Sequence, residues 1–331
     1  MPTGVGRFIP FRAIQFIEQT WEGLDLGRLL PLLILLLLVA AISAKNPSFL
    51  SIQAAYSVAI QAAPVVILAA GLTPVFILGG IDLSVAALSS LSTVLLAIWM
   101  PKFGFGGVCM VLGFAALCGA FVGLVQSVTQ ISSFVTSLGA LGVYSGMALQ
   151  VSKATNEPLG DSFSALYWIS DSYFGLPASL FVALGFAALI ALGLRYLSLG
   201  QHVYATGASE RAALLSGIRT GYVRVCVFAV SGLAAGLAGI VLVARTAYSS
   251  PTLADNFLLP SIAAVVVGGT AVSGGLGGIS RSVVGALIVT VVTIGMVVVG
   301  IDPVLQNVVF GVAIIAAVAL TIDRRKLVSI K

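Results

Sequence analysis

One carboxylate stands where carboxylates are rare. Asp82 lies in Ile77-Leu78-Gly79-Gly80-Ile81-Asp82-Leu83-Ser84, with long apolar runs on either side. Inside a bilayer a charge is expensive and is kept for a cavity or a partner, so Asp82 can be a polar point on a solute path. It can equally start a helix at Leu83, accepting backbone N–H bonds after the Gly-Gly break. The two readings are compatible, and neither requires Asp82 to carry a proton.

Other chemistry-bearing patterns are absent or local. No Gly-x4-Gly-Lys-Ser/Thr occurs and no lysine follows a glycine, so the chain holds no phosphate-cradling loop of that kind. No His-Glu-x-x-His, no Gly-x-Ser-x-Gly with partners and no Cys/His cluster is present. Gly274-Gly275-Leu276-Gly277-Gly278 is flanked by apolar helices, not by a soluble strand and helix, and reads as a tight turn that lets helices approach closely. Cys109 and Cys118 stand nine residues apart on one predicted helix, about 13 Å along its axis, too far for a disulfide. Cys226 reads as a small apolar packing residue. His202 is the only histidine, so no metal site is expected.

The most polar stretch contains Gly207-Ala208-Ser209-Glu210-Arg211-Ala212-Ala213-Leu214-Leu215-Ser216-Gly217-Ile218. Ser209 or Ser216 suits a helix cap and Gly217 a helix stop. The spacing Glu-x-Ala-Ala-x-x-x-Gly describes a compact knob with a charge at its start.

These residues need elements to hold them, and the composition says which. Only 27 of 331 residues are charged (16 Lys+Arg and 11 Asp+Glu), or 8%, where a soluble domain has roughly 25%. Hydrophobic residues make up 59% and the mean hydropathy is +1.15. A chain so short of charge cannot cover itself in water, which excludes a soluble enzyme, a nucleic-acid binder and a disordered chain. The expected fold is an all-α polytopic membrane protein. Ten apolar stretches stand near 29–45, 54–79, 83–100, 107–128, 134–151, 178–197, 222–244, 258–273, 281–299 and 304–322. The second carries Pro64 and Pro74, which predict a kink or break. The fifth and eighth are short or Gly-rich; read as re-entrant, they would leave eight spans.

Threading the charges through ten spans with the N-terminus inside gives a clear asymmetry. Arg7, Arg12, Arg28, Arg195, Arg211, Arg219, Arg224, Arg281, Arg324, Arg325, Lys326 and Lys331 fall inside. Lys45, Lys102, Lys153 and Arg245 fall outside. The excess of cations inside places both termini in the cytoplasm. Residues 1–28 form a cytoplasmic N-terminal segment, with an amphipathic, membrane-surface pattern over 7–28, and not a signal peptide. The transmembrane domain covers 29–322, with an external loop at 152–177, a cytoplasmic segment at 195–224 and a basic tail at 323–331. Tyr167, Trp168 and Tyr173 in the external loop are interfacial anchors or a docking surface. An internal echo joins Ile77–Ser84 to Val267-Gly268-Gly269-Thr270-Ala271-Val272-Ser273; duplication is one reading of it, chance recurrence among 37 glycines the other.

Taken in order, four pieces resemble the permease subunit of ribose-type ABC importers, within the branched-chain amino acid and ribose permease superfamily. They are Gly71-Leu72-Thr73 leading to Gly79-Gly80-Ile81-Asp82-Leu83-Ser84-Val85; Phe134-Val135-Thr136-Ser137-Leu138-Gly139; Tyr204-Ala205-Thr206-Gly207 through Gly217-Ile218; and Ile262-Ala263-Ala264-Val265-Val266-Val267-Gly268-Gly269-Thr270 with Ser273-Gly274-Gly275. The resemblance covers roughly residues 50–325. It implies a bacterial inner-membrane subunit that works as a pair, as a homodimer or with a paralogue. It implies a separate ATP-binding cassette ATPase, which holds ATP and Mg, and an extracytoplasmic solute-binding protein. By the same resemblance Glu210, Arg211, Ala212, Ala213 and Gly217 belong to a coupling helix that docks on the ATPase. This chain is then not an enzyme and holds no cofactor, and no nucleic acid partners it.

Two departures concern the solute more than the family: Ala86 stands where many relatives have glycine, and Leu259-Pro260-Ser261 where an acid often precedes the Ile-Ala-Ala run. A sugar-like solute calls for hydroxyl and amide groups, for which Gln61, Asp82, Ser84, Thr136 and Asn307 are the candidates, with Phe134 as a gate. The alternative is an ion-coupled secondary transporter, which normally needs more membrane-embedded acids than Asp82 supplies.

Overall fold

The computed structural model describes residues 26–321 and is mostly helical. The N-terminal amphipathic pattern up to residue 25 and the basic tail at 323–331 lie outside the described residues. Twelve helices of more than one turn follow in chain order: α1 (Leu26–Lys45), α2 (Ile52–Ile77), α3 (Val85–Phe103), α4 (Phe105–Thr129), α5 (Ser133–Ser152), α6 (Ala178–Tyr196), α7 (Ser198–Ala208), α8 (Glu210–Leu215), α9 (Thr220–Thr246), α10 (Leu258–Val267), α11 (Ile279–Val298) and α12 (Gln306–Thr321). Seven of them, α2–α6, α9 and α11, are long and apolar enough to cross a membrane; the apolar parts of α1, α10 and α12 are shorter.

Burial sorts these helices into a centre and a rim. The most apolar window of α2 is 89% buried, that of α5 only 17%. A soluble helix turns polar residues outward, but α5 turns out Val135, Leu138, Val143 and Leu149, which are suited to lipid. The axis of the bundle is α2 and α9, with α3 and α4 packed against α9. Glycines set how closely α4 and α9 approach. A Cβ on Gly119 would run into the Phe228 carbonyl oxygen, and one on Gly232 into that of Ala115. Gly119 faces Gly232 directly, while Gly123 lies against the Arg224–Val225 backbone and Gly236 against Ala115, so bare glycine surfaces on both helices bring the backbones together.

Two expectations about elements need correction. Of the kink or break expected at Pro64 and Pro74, the break does not occur: helix α2 runs unbroken through both. Each proline removes one backbone donor, but α2 is packed on all sides over this stretch, and burial against neighbouring helices keeps the segment helical. The eighth stretch, in contrast, is helical only over Leu258–Val267, about 15 Å at 1.5 Å per residue, or half a bilayer core. Residues 268–278 continue it as a Gly-rich loop.

The two echoed segments end their helices in the same way. After α2, Gly79 has φ +82°, and the Gly80 N–H donates to the Val75 carbonyl at 2.9 Å. After α10, Gly269 has φ +87°, and the Thr270 N–H donates to the Val265 carbonyl at 3.2 Å. Both are glycine-terminated caps in which a left-handed residue folds the chain back over the last turn. The likeness stops there, since α3 follows at once while α11 begins only after the second loop.

The ends of the bundle are tied differently. At the arginine-rich end Ser127 donates to the Gly221 carbonyl (3.2 Å) and Gly268 packs on Arg281. At the other end Tyr56 donates to the Ser170 carbonyl (3.5 Å), and Arg245 of α9 donates to Gln61 of α2 (3.3 Å). Here the 153–177 segment is folded. Its Glu157–Pro158 pairs antiparallel with Tyr248–Ser249, a hairpin turns at Phe174-Gly175, and Leu166 and Ile169 are buried.

Candidate functional site

Helix α8 is short and closed at both ends by its own residues. Ser209 is extended (φ −162°), and its Oγ accepts from the Ala212 N–H at 3.3 Å, so Ser209 is the cap. At the far end Gly217 has φ +82° and the Ile218 N–H donates to the Ala213 carbonyl at 3.0 Å. Ser216 does not start the helix; its hydroxyl donates back to Ala212. Six residues are too few to hold a helix unaided, so the two caps define it.

The face that α8 presents differs from what its motif suggests. Glu210 does not point freely outward: Arg224, in the first turns of α9, donates to its carboxylate in an ion pair. Ala213 is buried, and Arg211, Ala212 and Gly217 are exposed. The most exposed apolar groups are Leu214 and Leu215, the latter 83% exposed. An exposed leucine pair on a capped knob, beside Arg211 and Arg219, is suited to a groove on another protein. Leu214 and Leu215 lie between the motif residues, and their contrast with a polar stretch is the signal that could have marked them.

At the centre of the bundle, Asp82 is buried (2% exposed) in the break between α2 and α3. Its Oδ1 accepts from the Ser84 N–H (2.9 Å) and the Ser84 hydroxyl (2.6 Å), and Oδ2 accepts from Ser231 of α9 (2.7 Å). Helix α3 begins at Val85, two residues after the start at Leu83 that a cap at Asp82 would give, and Asp82 instead makes a turn onto Ser84. Helix α5 holds the same break, because Ser133 accepts from the Ile81 N–H (3.0 Å) and Ser137 donates to the Ile81 carbonyl (3.2 Å). The second break is anchored to α2 by the Gly275 N–H, which donates to the Ile77 carbonyl at 2.8 Å, and Thr73 of α2 donates to Ser282 of the following α11 at 2.7 Å.

The six candidate path residues are not gathered into one pocket. Asp82 and Ser84 form one unit in the centre. Gln61 is partly buried and bound to Arg245 at the end away from the arginines. Phe134 is 49% exposed on the first turn of α5, and the hydroxyl of Thr136 donates to its own helix at Ser132. Asn307 is exposed on α12. Phe134 and Asn307 thus face out of the single chain, and Thr136 is half-buried beside Phe134.

Comparison with known proteins gives one answer. Residues 54–318 match the family described as branched-chain amino acid transport system / permease component. The chain is 34% identical over 300 residues to the ribose import permease protein RbsC of Bacillus subtilis (strain 168), covering 89% of this chain and 92% of that protein. It is 35% identical over 324 residues to the probable ABC transporter permease protein YphD of Escherichia coli (strain K12), covering 97% and 95%. To the D-allose transport system permease protein AlsC of the same strain it is 32% identical over 295 residues, covering 87% and 89%. With the buried Gly-Gly-Ile-Asp-Leu-Ser break and the capped helix at Glu210 in place, the chain belongs to the branched-chain amino acid transport system / permease component family, among its ribose-type members.

Proposed function

We propose that this chain is the membrane-spanning subunit of an ATP-driven importer for a sugar or sugar-like solute, and that α8 docks on a separate ATPase. The observation that carries the reading is α8 itself. It is rigidly capped, with Glu210 turned back onto Arg224 and Leu214 and Leu215 left outward. A relative that imports ribose and another that carries D-allose support the solute class.

In this reading the arginine-rich end is cytoplasmic and the chain crosses a bacterial inner membrane ten times, with α10 and the following loop together making one crossing. A binding protein delivers the solute to the opposite end, and ATP and Mg are held by the ATPase. The outward-facing Phe134, with the half-buried Thr136 beside it, suits a path formed between two copies of the chain. ATP can shift the path between its two openings only by as much as it binds one state better.

The test is uptake by vesicles holding the chain with its ATPase and binding protein, using labelled ribose and allose. Uptake is expected to require ATP inside with the ATPase and to be indifferent to H⁺ or Na⁺ gradients. Leu215→Asp is expected to lower ATPase co-purification at least tenfold, because it puts a charge into an apolar contact. Ion-driven uptake without the ATPase would establish the secondary-transporter alternative instead.

A further inference from the structure

We infer that Gly207 and Tyr204 of α7 are positioning residues that join α8 rigidly to both helix breaks, so that movement of α8 reaches the centre of the permease through one backbone joint. This rests on the reading of α8 as the ATPase-docking helix.

The joint has three strands of backbone and almost no side chain. The Gly275 N–H, in the loop after α10, donates to the Ile77 carbonyl at the end of α2 (2.8 Å). Gly207 lies against this bond: a Cβ there would collide with the Ile77 oxygen and stand 2.8 Å from the Gly275 nitrogen. Gly274 closes the other side, where a Cβ would come within 2.8 Å of the Gly207 oxygen and 3.1 Å of the Gly79 Cα. Tyr204, one turn earlier on α7, donates its hydroxyl to the Gly277 carbonyl at 3.0 Å. Burial pushes the Tyr204 phenol up, with Arg281 opposing in part, so the hydroxyl stays protonated and able to donate.

The consequence is mechanical. Side chains between two elements can change rotamer and absorb a small displacement, whereas backbone against backbone cannot. Only Ala208 and Ser209 separate this joint from the first residue of α8. Both segments it touches carry the left-handed glycine ends of half-buried breaks, Gly79 and Gly269. The first of these leads within three residues to Asp82. A tightly packed backbone joint of this kind passes on a shift that a softer contact would dissipate.

Two variants in the complete transporter test this. Tyr204→Phe removes one hydrogen bond without adding bulk; Gly207→Ala wedges the joint open. With Tyr204→Phe the ATPase is expected to co-purify as with the unaltered chain, and the half-saturating concentration of binding protein is expected to hold. Solute moved per ATP hydrolysed is expected to fall about fivefold, as for loss of one neutral hydrogen bond from the coupling. Gly207→Ala should fall further; if it does not fold, Tyr204→Phe decides alone. An unchanged solute-to-ATP ratio in Tyr204→Phe overturns the inference while leaving α8 as the docking helix. Failure of the unaltered chain to retain any ATPase overturns the docking reading and this inference with it.

Discussion

Three donors converge on Asp82, and no described cation pairs with it. The carboxylate is therefore a fastener between the first break and α9, and its proton affinity is not needed for that role. Asp82→Asn keeps the pattern: the amide oxygen can accept from Ser84, and the amide NH2 can donate to Ser231 if its hydroxyl rotates. Asp82→Ala leaves the same donors buried without an acceptor. Alanine is expected to cost about 3 kcal/mol and asparagine about 1 kcal/mol. Melting of the purified chain in detergent checks the order, and uptake checks the role. An asparagine variant that folds normally but transports nothing would mark Asp82 as a proton or solute site.

The elements of this chain are decided by where glycine stands. On α4 and α9, Gly119 and Gly232 let two long helices touch along their backbones. Gly232→Val has no room for its side chain beside the Ala115 carbonyl and must part the helices. It is expected to abolish recovery of monodisperse protein, whereas Gly142→Val on α5, with open space where its Cβ would stand, is expected to leave the melting temperature within about 2 °C. Equal behaviour of the two on size-exclusion chromatography would remove the packing argument. The same residue type at Gly79, Gly217 and Gly269 terminates helices through positive φ, a separate physical cause.

For the molecule as a whole the cations set a direction. Arg195, Arg211, Arg219, Arg224 and Arg281 gather at one end, and Lys45, Lys102, Lys153 and Arg245 stand at the other. With the three native cysteines replaced, a single cysteine at Lys153 is expected to react with an impermeant maleimide on intact cells, and one at Ser216 only after the membrane is opened. The reverse result would turn the proposed importer upside down and make its docking helix face the wrong compartment.

Apolar length and the Gly, Pro and Ser punctuation determined, by themselves, the helical membrane class and the positions of the long helices, because these depend on residues close in sequence; they left the cap of α8 open between Ser209 and Ser216, and the structure decided for Ser209. The family was legible too, from four motifs in order. Pro64 and Pro74 do not make the break they allowed, since whether a proline interrupts α2 depends on what packs around it. The pairing of Glu210 with Arg224, of Asp82 with Ser231, and of Gly207 with Ile77 and Gly275 joins residues 14 to 149 positions apart. Local patterning carries no record of such contacts. Only the packing of α2, α7 and α9 against one another brings these groups together, and so only the tertiary structure decided which polar residues are fasteners and which face outward.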